Sequence, residues 1–588
     1  MNTLNIDEAF PKGILQPELF LGVVSSITAR TAGVNLCEAG KPSGSHFAGG
    51  RYGCGEVGEF VLIEGQQSLL LGRITEIRLH EPERRSIGQN FIGNNDLDAL
   101  GQIHILGCVA MNNMAVTTGV VSYPRLGDRI YAAPHRFIAF LPRLMETENG
   151  DVESVYLNLG AIDATQDSFV FVKPERLFGR HCAILGATGG GKSWTAARIV
   201  EECLRYNAKM ILLDATGEYR DFSRDDILHC HLDKPVNTAS ASIACSLPST
   251  SFLESDFVAL FEPAGKVQGP KLRAAIRSLR LAYLKPKLAP NGFIEKINNS
   301  KTAVEAAEKE HSIANKLDDP RQPFDIKMLP KQLEQECVYP EGFNTNGGAK
   351  DITKWGREDG SFSYCLPLVA RISSFLTSPT FSCIFEPKEK AVLTDHIEEF
   401  ITGDKKLLRV DLSGIAYEFN AREIIANVIG RHLLFTARSG FFQQKPTLVL
   451  VDEAHNFLGR HIGTDDYITR LDAFELIAKE GRKYSLNICL VSQRPRDITE
   501  DVLSQIGTLI VHRLTNDRDR EIVERACGEV DRTTSAFLPN LHPGEAAIIG
   551  TDFPIPLTVR IHEPITKPIS DGPKYQHHWA IERKPTKT

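Results

Sequence analysis

The chain has no Cys-x-x-Cys pair. Its twelve cysteines are scattered over 588 residues, which excludes a zinc ribbon and a disulfide framework and makes a reduced, cytoplasmic protein the expectation. His229-Cys230-His231 does not replace such a pair, because neighbouring positions on a strand face opposite sides. No run approaches 18 uninterrupted apolar residues, so no membrane span is expected. Met1 to Gln16 carries acids and lacks the apolar stretch of a secretion signal. Positive charge is not in surplus either: the net charge is −7, so binding to a polyanion would need Lys and Arg gathered locally, as in a channel. Hydrophobic content of 42% and charged content of 24% are those of a globular chain with ample core, and the length suggests three or four domains.

Residues 1–150 read as an all-β domain. Short apolar or alternating runs at Phe20–Ile27, Glu59–Ile63, Ser68–Leu79, Gln102–Ala110 and Arg129–Ala133 are parted by Gly, Pro and Asn, the pattern of a small barrel. Gly53-x-Gly55-x-x-Gly58 imitates a dinucleotide fingerprint, but a strand-like run follows where a helix is required, so a hairpin loop is expected. From about residue 168 strands alternate with helices. Candidate strands are His181–Leu185, Lys209–Leu213, Leu407–Leu412, Thr447–Val451, Asn487–Val491, Leu509–Arg513 and Glu545–Ile549, and Ala421–Arg438 has apolar residues at helical spacing. This is the signature of a parallel sheet covered by helices. The sheet region divides into 168–250 and 401–563. Residues 251–400 between them, with helix-like runs at Pro270–Leu284 and Ala303–Asn315 and a polar stretch at Tyr339–Gly360, are expected to form a helical insertion. The tail 564–588 reads as extended, either an arm on a neighbour or without fixed structure.

Within this frame, His181–Leu185 runs into Gly186-Ala187-Thr188-Gly189-Gly190-Gly191-Lys192-Ser193 and then the helix-like run Trp194–Tyr206. Strand, glycine loop and helix occur in the order of a P-loop. Glycines let backbone N–H groups converge on phosphate oxygens, and the helix N-terminus adds positive potential. Gly186, Thr188, Gly189, Gly190, Gly191, Lys192, Ser193 and Trp194 are therefore the candidate contacts to ATP. Lys192 is expected to reach the β- and γ-phosphates and Ser193 to ligate Mg²⁺.

Thr447–Val451 ends in Asp452-Glu453. Ligands of open α/β sheets sit at the carboxyl ends of the strands, so Asp452 is the second candidate Mg²⁺ ligand and Glu453 the candidate base for the attacking water. Gln493, after the strand Asn487–Val491, is placed to touch the γ-phosphate or position that water. Asp214 and Glu218 are either an auxiliary acidic pair at the rim or ordinary turn residues. Arg482, in Glu480-Gly481-Arg482-Lys483-Tyr484, is the first candidate for an arginine acting on the phosphate of a neighbouring subunit, and Arg180 is the second.

The ordered set resembles the HerA branch of the HerA/FtsK group of P-loop ATPases. The resemblance covers almost the whole chain. It rests on Tyr123-Pro124-Arg125-Leu126-Gly127-Asp128, the Gly186–Ser193 loop, Asp214–Tyr219, Val410–Gly414, Asp452–Asn456, Glu480–Tyr484, Ser492–Pro495 and Leu538–Glu545. Asp214-Ala-Thr-Gly-Glu departs from the usual Asp-Pro-His-Gly-Glu of the group. The resemblance implies an α/β RecA-like P-loop ATPase core with an N-terminal small β-barrel and a helical insertion. It implies a homohexamer around duplex DNA, with ATP sites between subunits, working with a partner nuclease or, in bacterial members, another effector such as a NADase in antiviral defence. The expected activity is that of an ATP-driven DNA translocase or helicase. The competing reading is an ATP-binding ring scaffold that activates an effector and translocates little. A membrane-anchored conjugation or secretion ATPase is disfavoured by the missing span.

Overall fold

The computed structural model describes residues 13–569 apart from 38–44, 48–49, 54, 80–98, 112–113, 146–154, 163–167, 236, 238–240, 344–349, 386–390, 465–466, 528–534 and 554, together with Tyr575 and Trp579. Most of Met1–Gln16 and of the tail 564–588 thus lies outside the described residues, as do parts of the expected hairpin loop and of Tyr339–Gly360.

Six N-terminal strands, β1 (Phe20–Ile27), β2 (Thr31–Leu36), β3 (Phe60–Ile63), β4 (Ser68–Leu79), β5 (Ala99–Ala110) and β6 (Arg129–Ala132), pair antiparallel in the order β2-β1-β6-β3-β4-β5. β2 also pairs with β5, so these six strands close into a barrel, and a short seventh strand, Val116–Thr118, pairs with β5 outside the closure. Alternation does the sorting: Val34 and Leu36 of β2 point inward with Leu21, Val61, Ile63, Leu70, Ile74 and Ile103. The loop before β3 is not a dinucleotide turn. The N–H groups of Gly53, Gly55 and Glu56 donate to the Glu59 carboxylate at 3.2, 2.8 and 3.2 Å, and a strand follows.

The C-terminal part is built on a sheet of twelve strands. They are β7 (Leu157–Ala161), β8 (Phe169–Val172), β9 (Cys182–Leu185), β10 (Lys209–Asp214), β11 (Ile227–Leu232), β12 (Ile243–Cys245), β13 (Leu407–Asp411), β14 (Thr447–Val451), β15 (Leu486–Ser492), β16 (Thr508–Val511), β17 (Glu545–Ile549) and β18 (Leu557–Ile561). Their order is β8-β7-β18-β17-β16-β9-β15-β14-β10-β13-β11-β12. From β16 to β12 the pairings are parallel, and from β16 to β8 they are antiparallel.

The central strands are apolar throughout because both faces are covered. On β9, Cys182 and Ile184 face a layer containing α1 (His135–Leu144) and α2 (Lys192–Leu204), whereas Ala183 and Leu185 face α10 (Ala421–Arg438). The outer barrel residues Leu62, Leu69 and Leu71 join the first layer, so the barrel is packed onto the sheet domain.

The segment between β12 and β13 is helical: α3 (Glu254–Phe261), α4 (Gly265–Leu284), α5 (Thr302–Lys309), α6 (His311–Leu317), α7 (Leu329–Gln335), α8 (Asp359–Thr377) and α9 (Leu393–Thr402). The single helix expected at Ala303–Asn315 is two, broken at Glu310, whose backbone is extended. Most of these helices bury Leu272, Ile276, Leu333, Ile372 and Ile397 in the same core as Val449 and Leu433. Only Leu281, Ile294, Ile313 and Leu317 with their neighbours form a small core apart. Among the described residues no helix is long and apolar enough to cross a membrane. His229 and His231 split as strand geometry requires: Nε2 of His229 meets Phe222 O, while Nδ1 of His231 meets Ser242 Oγ.

Candidate nucleotide site

The P-loop connects β9 to α2, and two of its glycines are required by geometry. Gly191 has φ +111° at the helix N-cap, a left-handed backbone that favours glycine. A Cβ on Gly186 would stand 2.6 Å from His512 Cβ. His512 follows β16 and lies under the loop. Its Nδ1 donates to Glu545 O and its Nε2 accepts from Thr195 Oγ1, both at 2.8 Å. Burial pulls this imidazole down to about 4, so it is neutral and locked in one tautomer. Gly544 N donates to Gly190 O at 3.3 Å, tying β17 to the loop.

Lys192 is buried and folds back to donate to Ala187 O at 3.0 Å. Burial lowers its ammonium, against the pull of Glu453, Asp452 and Glu218. The strand order explains why those acids meet it. β15 lies between β9 and β14, so Gln493 sits between the loop and the Asp-Glu pair. Thr188 Oγ1 donates to Gln493 Oε1 at 2.6 Å, and Gln493 Nε2 donates to Glu453 Oε1. A chain of hydrogen bonds thus joins P-loop, Gln493 and Glu453. Glu453 has φ +47°, an uncommon backbone for a non-glycine residue that turns the carboxylate back over the sheet edge. Its Oε2 is 3.2 Å from His455 Nδ1.

Asp452 is buried and accepts from Thr216 Oγ1 at 3.2 Å. Burial pushes its carboxyl well above the usual range, with Asp214, Glu218 and Glu453 adding to the rise. Burial also raises Glu218, whereas the Ser193 hydroxyl pulls it down, and Glu218 Oε2 is buried without a hydrogen-bond partner. Oxygen donors from Ser193 and Asp452, set in this surplus of negative charge, suit a hard divalent cation such as Mg²⁺. That ion takes one or two carboxylates and completes its shell with water and phosphate oxygens.

Asp214 corrects the sequence reading. It is neither a rim acid nor an exposed turn residue. It is fully buried and accepts from the N–H groups of Gly217, Glu218 and Tyr219 at 2.7, 3.2 and 3.1 Å. Its other partner is Arg409, also fully buried, which bridges Asp214 and Asp411 at 2.7 and 2.8 Å. The triad shapes the loop that presents Glu218. Beyond that loop, the chain after β18 returns over α2: Ile565 and Thr566 N–H groups donate to Glu201, Ile569 N–H donates to Glu218 O, and Lys567 Nζ stands 5.5 Å from the Trp194 ring. The described start of the tail therefore packs on its own chain.

Arg180 and Arg482 are brought together with each other and apart from the P-loop. Both precede parallel neighbours, β9 and β15, whereas the loop and Gln493 follow them. A seven-residue strand spans roughly 23 Å, beyond the reach of an arginine side chain. The two arginines line one cleft of about 360 Å³ with Lys483 and Gln505. Arg180 pairs with Asp552 at 2.9 Å, and His181, with φ +96°, accepts from Ile488 N–H at 3.1 Å and pins the cleft floor.

Sequence reasoning did not find His512, Thr216 or Arg409. His512 carried one usable signal, its place at the end of a strand, where site residues collect.

Comparison with known proteins agrees with this geometry. Residues 157–336 match the family described as Helicase HerA, central domain. The probable helicase MJECL08 of Methanocaldococcus jannaschii is 25% identical over 483 residues, 80% of each chain. The probable DNA double-strand break repair helicase HerA of the same organism is 25% identical over 69% of this chain and 76% of its own. Among solved structures, VirB4 of Thermoanaerobacter pseudethanolicus overlays 71% of this chain and 98% of its own, with 13% identity and a TM-score of 0.43. With the central-domain match, relatives along most of its length and a nucleotide loop in the expected surroundings, the chain is similar to the HerA-type P-loop ATPases.

Proposed function

We propose that copies of this chain close into a homohexameric ring, hydrolyse ATP at sites shared between neighbours, and use the cycle to move duplex DNA through the channel. The observation that supports this most is the division of the sheet. The carboxyl ends of its central strands carry the Thr188–Gln493–Glu453 chain beside Lys192, and the amino ends carry Arg180 and Arg482 in an open cleft. Glu453 polarises the attacking water, Gln493 aligns it and reports the γ-phosphate to the loop, and Lys192 leaves Ala187 O for the phosphates. Ser193 and Asp452 would hold Mg²⁺, which would neutralise charge on the phosphate oxygens. Arg482, or Arg180 released from Asp552, meets the phosphate of the next copy.

The DNA-handling names of the relatives motivate the rest of the reading. The test is ATP turnover with and without linear duplex, together with displacement of a third strand from a triplex. Stimulated turnover with displacement supports a motor. Turnover without displacement, or DNA affinity indifferent to salt, rejects it in favour of a scaffold, because phosphate contacts cost roughly 0.9 in log K per contact for each tenfold rise in salt.

Shared sites make a second prediction. Arg482→Ala and Lys192→Ala chains, each inactive alone, should recover part of the turnover when mixed, since some interfaces then receive both intact halves. No recovery at any ratio, with rings verified by light scattering, rejects the assignment of Arg482.

We also place docking of a nuclease or NADase effector, in antiviral defence, on the barrel loop where Val121, Tyr123 and Leu126 are more than half exposed. Recovery of the effector by Tyr123→Ser/Leu126→Ser protein as efficiently as by the unaltered protein would move that surface elsewhere.

A further inference from the structure

The chain after β18 forms a strap across α2, with alternating sides. Pro564 and Pro568 are buried, whereas Ile565, Lys567 and Ile569 are exposed, Ile565 by 90%. The N–H groups of Ile565 and Thr566 converge on one carboxylate, Glu201, at 3.0 and 2.6 Å. Glu201 lies two turns after Trp194 on α2, so the two share a face of the helix. Lys567 Nζ stands 5.5 Å from the Trp194 ring, and Ile569 N–H donates to Glu218 O at 2.9 Å. The strap therefore runs back along α2 from its middle to its first turn and ends on the loop that presents Glu218.

That course brings it to the end of the nucleotide site opposite the catalytic groups. Gln493 and Glu453 stand where a γ-phosphate would be, with Lys192 facing the same acids. An α-phosphate would rest on the N–H groups that open α2, and ribose and base would leave the loop from there, beside Trp194. The Trp194 ring is half-buried and offers an aromatic face. Lys567, which also pairs with Glu563, is exposed, and an exposed cation–π contact is weak enough to be exchanged for a stacked base.

We propose that Trp194 and the strap Pro564–Ile569 form the subsite for the nucleoside. The base stacks on the Trp194 ring, Lys567 moves off that ring and donates to an acceptor on the base edge, and Glu201 is the positioning residue that holds the strap. The proposal rests on the reading of the P-loop as an ATP site. Stacking accepts any aromatic base, so the subsite distinguishes a nucleoside triphosphate from a bare polyphosphate and not one base from another.

The test compares the Mg²⁺ complexes of β,γ-imido-ATP and inorganic tripolyphosphate on the full chain by calorimetry. Trp194→Ala should weaken the nucleotide about tenfold and leave tripolyphosphate unchanged, and Trp194→Phe, which keeps a stacking face, should restore most of the loss. Glu201→Gln, which cannot accept both N–H groups, should show the same selective loss, and it serves alone if Trp194→Ala does not fold. In Trp355→Phe/Trp579→Phe protein, where Trp194 is the remaining tryptophan, the nucleotide should quench the emission and tripolyphosphate should not. The proposal is overturned if the variants lose both ligands alike, or lose neither. It is overturned too if Glu201→Gln changes only ring assembly in light scattering, for then the strap serves a neighbouring copy. Unaltered protein that holds tripolyphosphate as tightly as the nucleotide refutes the subsite alone. Unaltered protein that holds neither refutes the P-loop assignment, and the subsite with it.

Discussion

A Glu453→Gln chain is expected to hold ATP about as tightly as the unaltered chain while its turnover falls on the order of 100- to 10,000-fold. The expectation follows from the contacts. The glutamine carbonyl can still accept from Gln493 Nε2, and Lys192, Ser193 and Asp452 are untouched, so nucleotide and cation retain their ligands while the water loses its base. Lys192→Ala should instead lose affinity and turnover together, because the ammonium that faces Glu453, Asp452 and Glu218 is gone. Bound nucleotide by equilibrium dialysis and phosphate release in single-turnover mixing separate the two. Equal loss of binding in both variants would reverse the roles proposed for these residues.

The second large effect concerns stability. Arg409→Met should destabilise the sheet domain by about 3–5 kcal/mol, because it leaves Asp214 and Asp411 buried without their cation. The cost should fall when Asp411→Asn is added, since one of the stranded charges is then removed. Urea unfolding followed by circular dichroism measures both differences. A loss below about 1 kcal/mol in the single variant would mean that water reaches the triad and that the loop presenting Glu218 is held by other contacts.

The parts legible in the sequence are those encoded over short spans. The P-loop, the Asp452-Glu453 pair and the strands around them each sit in one stretch, where an apolar run ends in a functional residue. The barrel strands were legible from alternation and turn residues. What escaped was set by contacts between distant segments. Arg409 and Asp214 are 195 positions apart in sequence yet share a hydrogen bond, and Thr195 and His512 are 317 apart. Asp214 was misplaced because an acid after a strand looks alike whether it faces nucleotide or three backbone N–H groups. The break at Glu310 was missed because periodicity continues across it. The strand after Gly53–Gly58 distinguishes that loop from a dinucleotide turn, but nothing in its spacing announces that Glu59 fills it.

The separation of the two ends of the strands has a consequence for dosage. If sites are completed only by a neighbour, each copy carries both halves and can join neither by itself. Specific activity should then rise steeply with protein concentration and vanish on dilution, with no inhibitor involved. Abundance itself would serve as the switch, with a threshold at the dissociation constant of the ring.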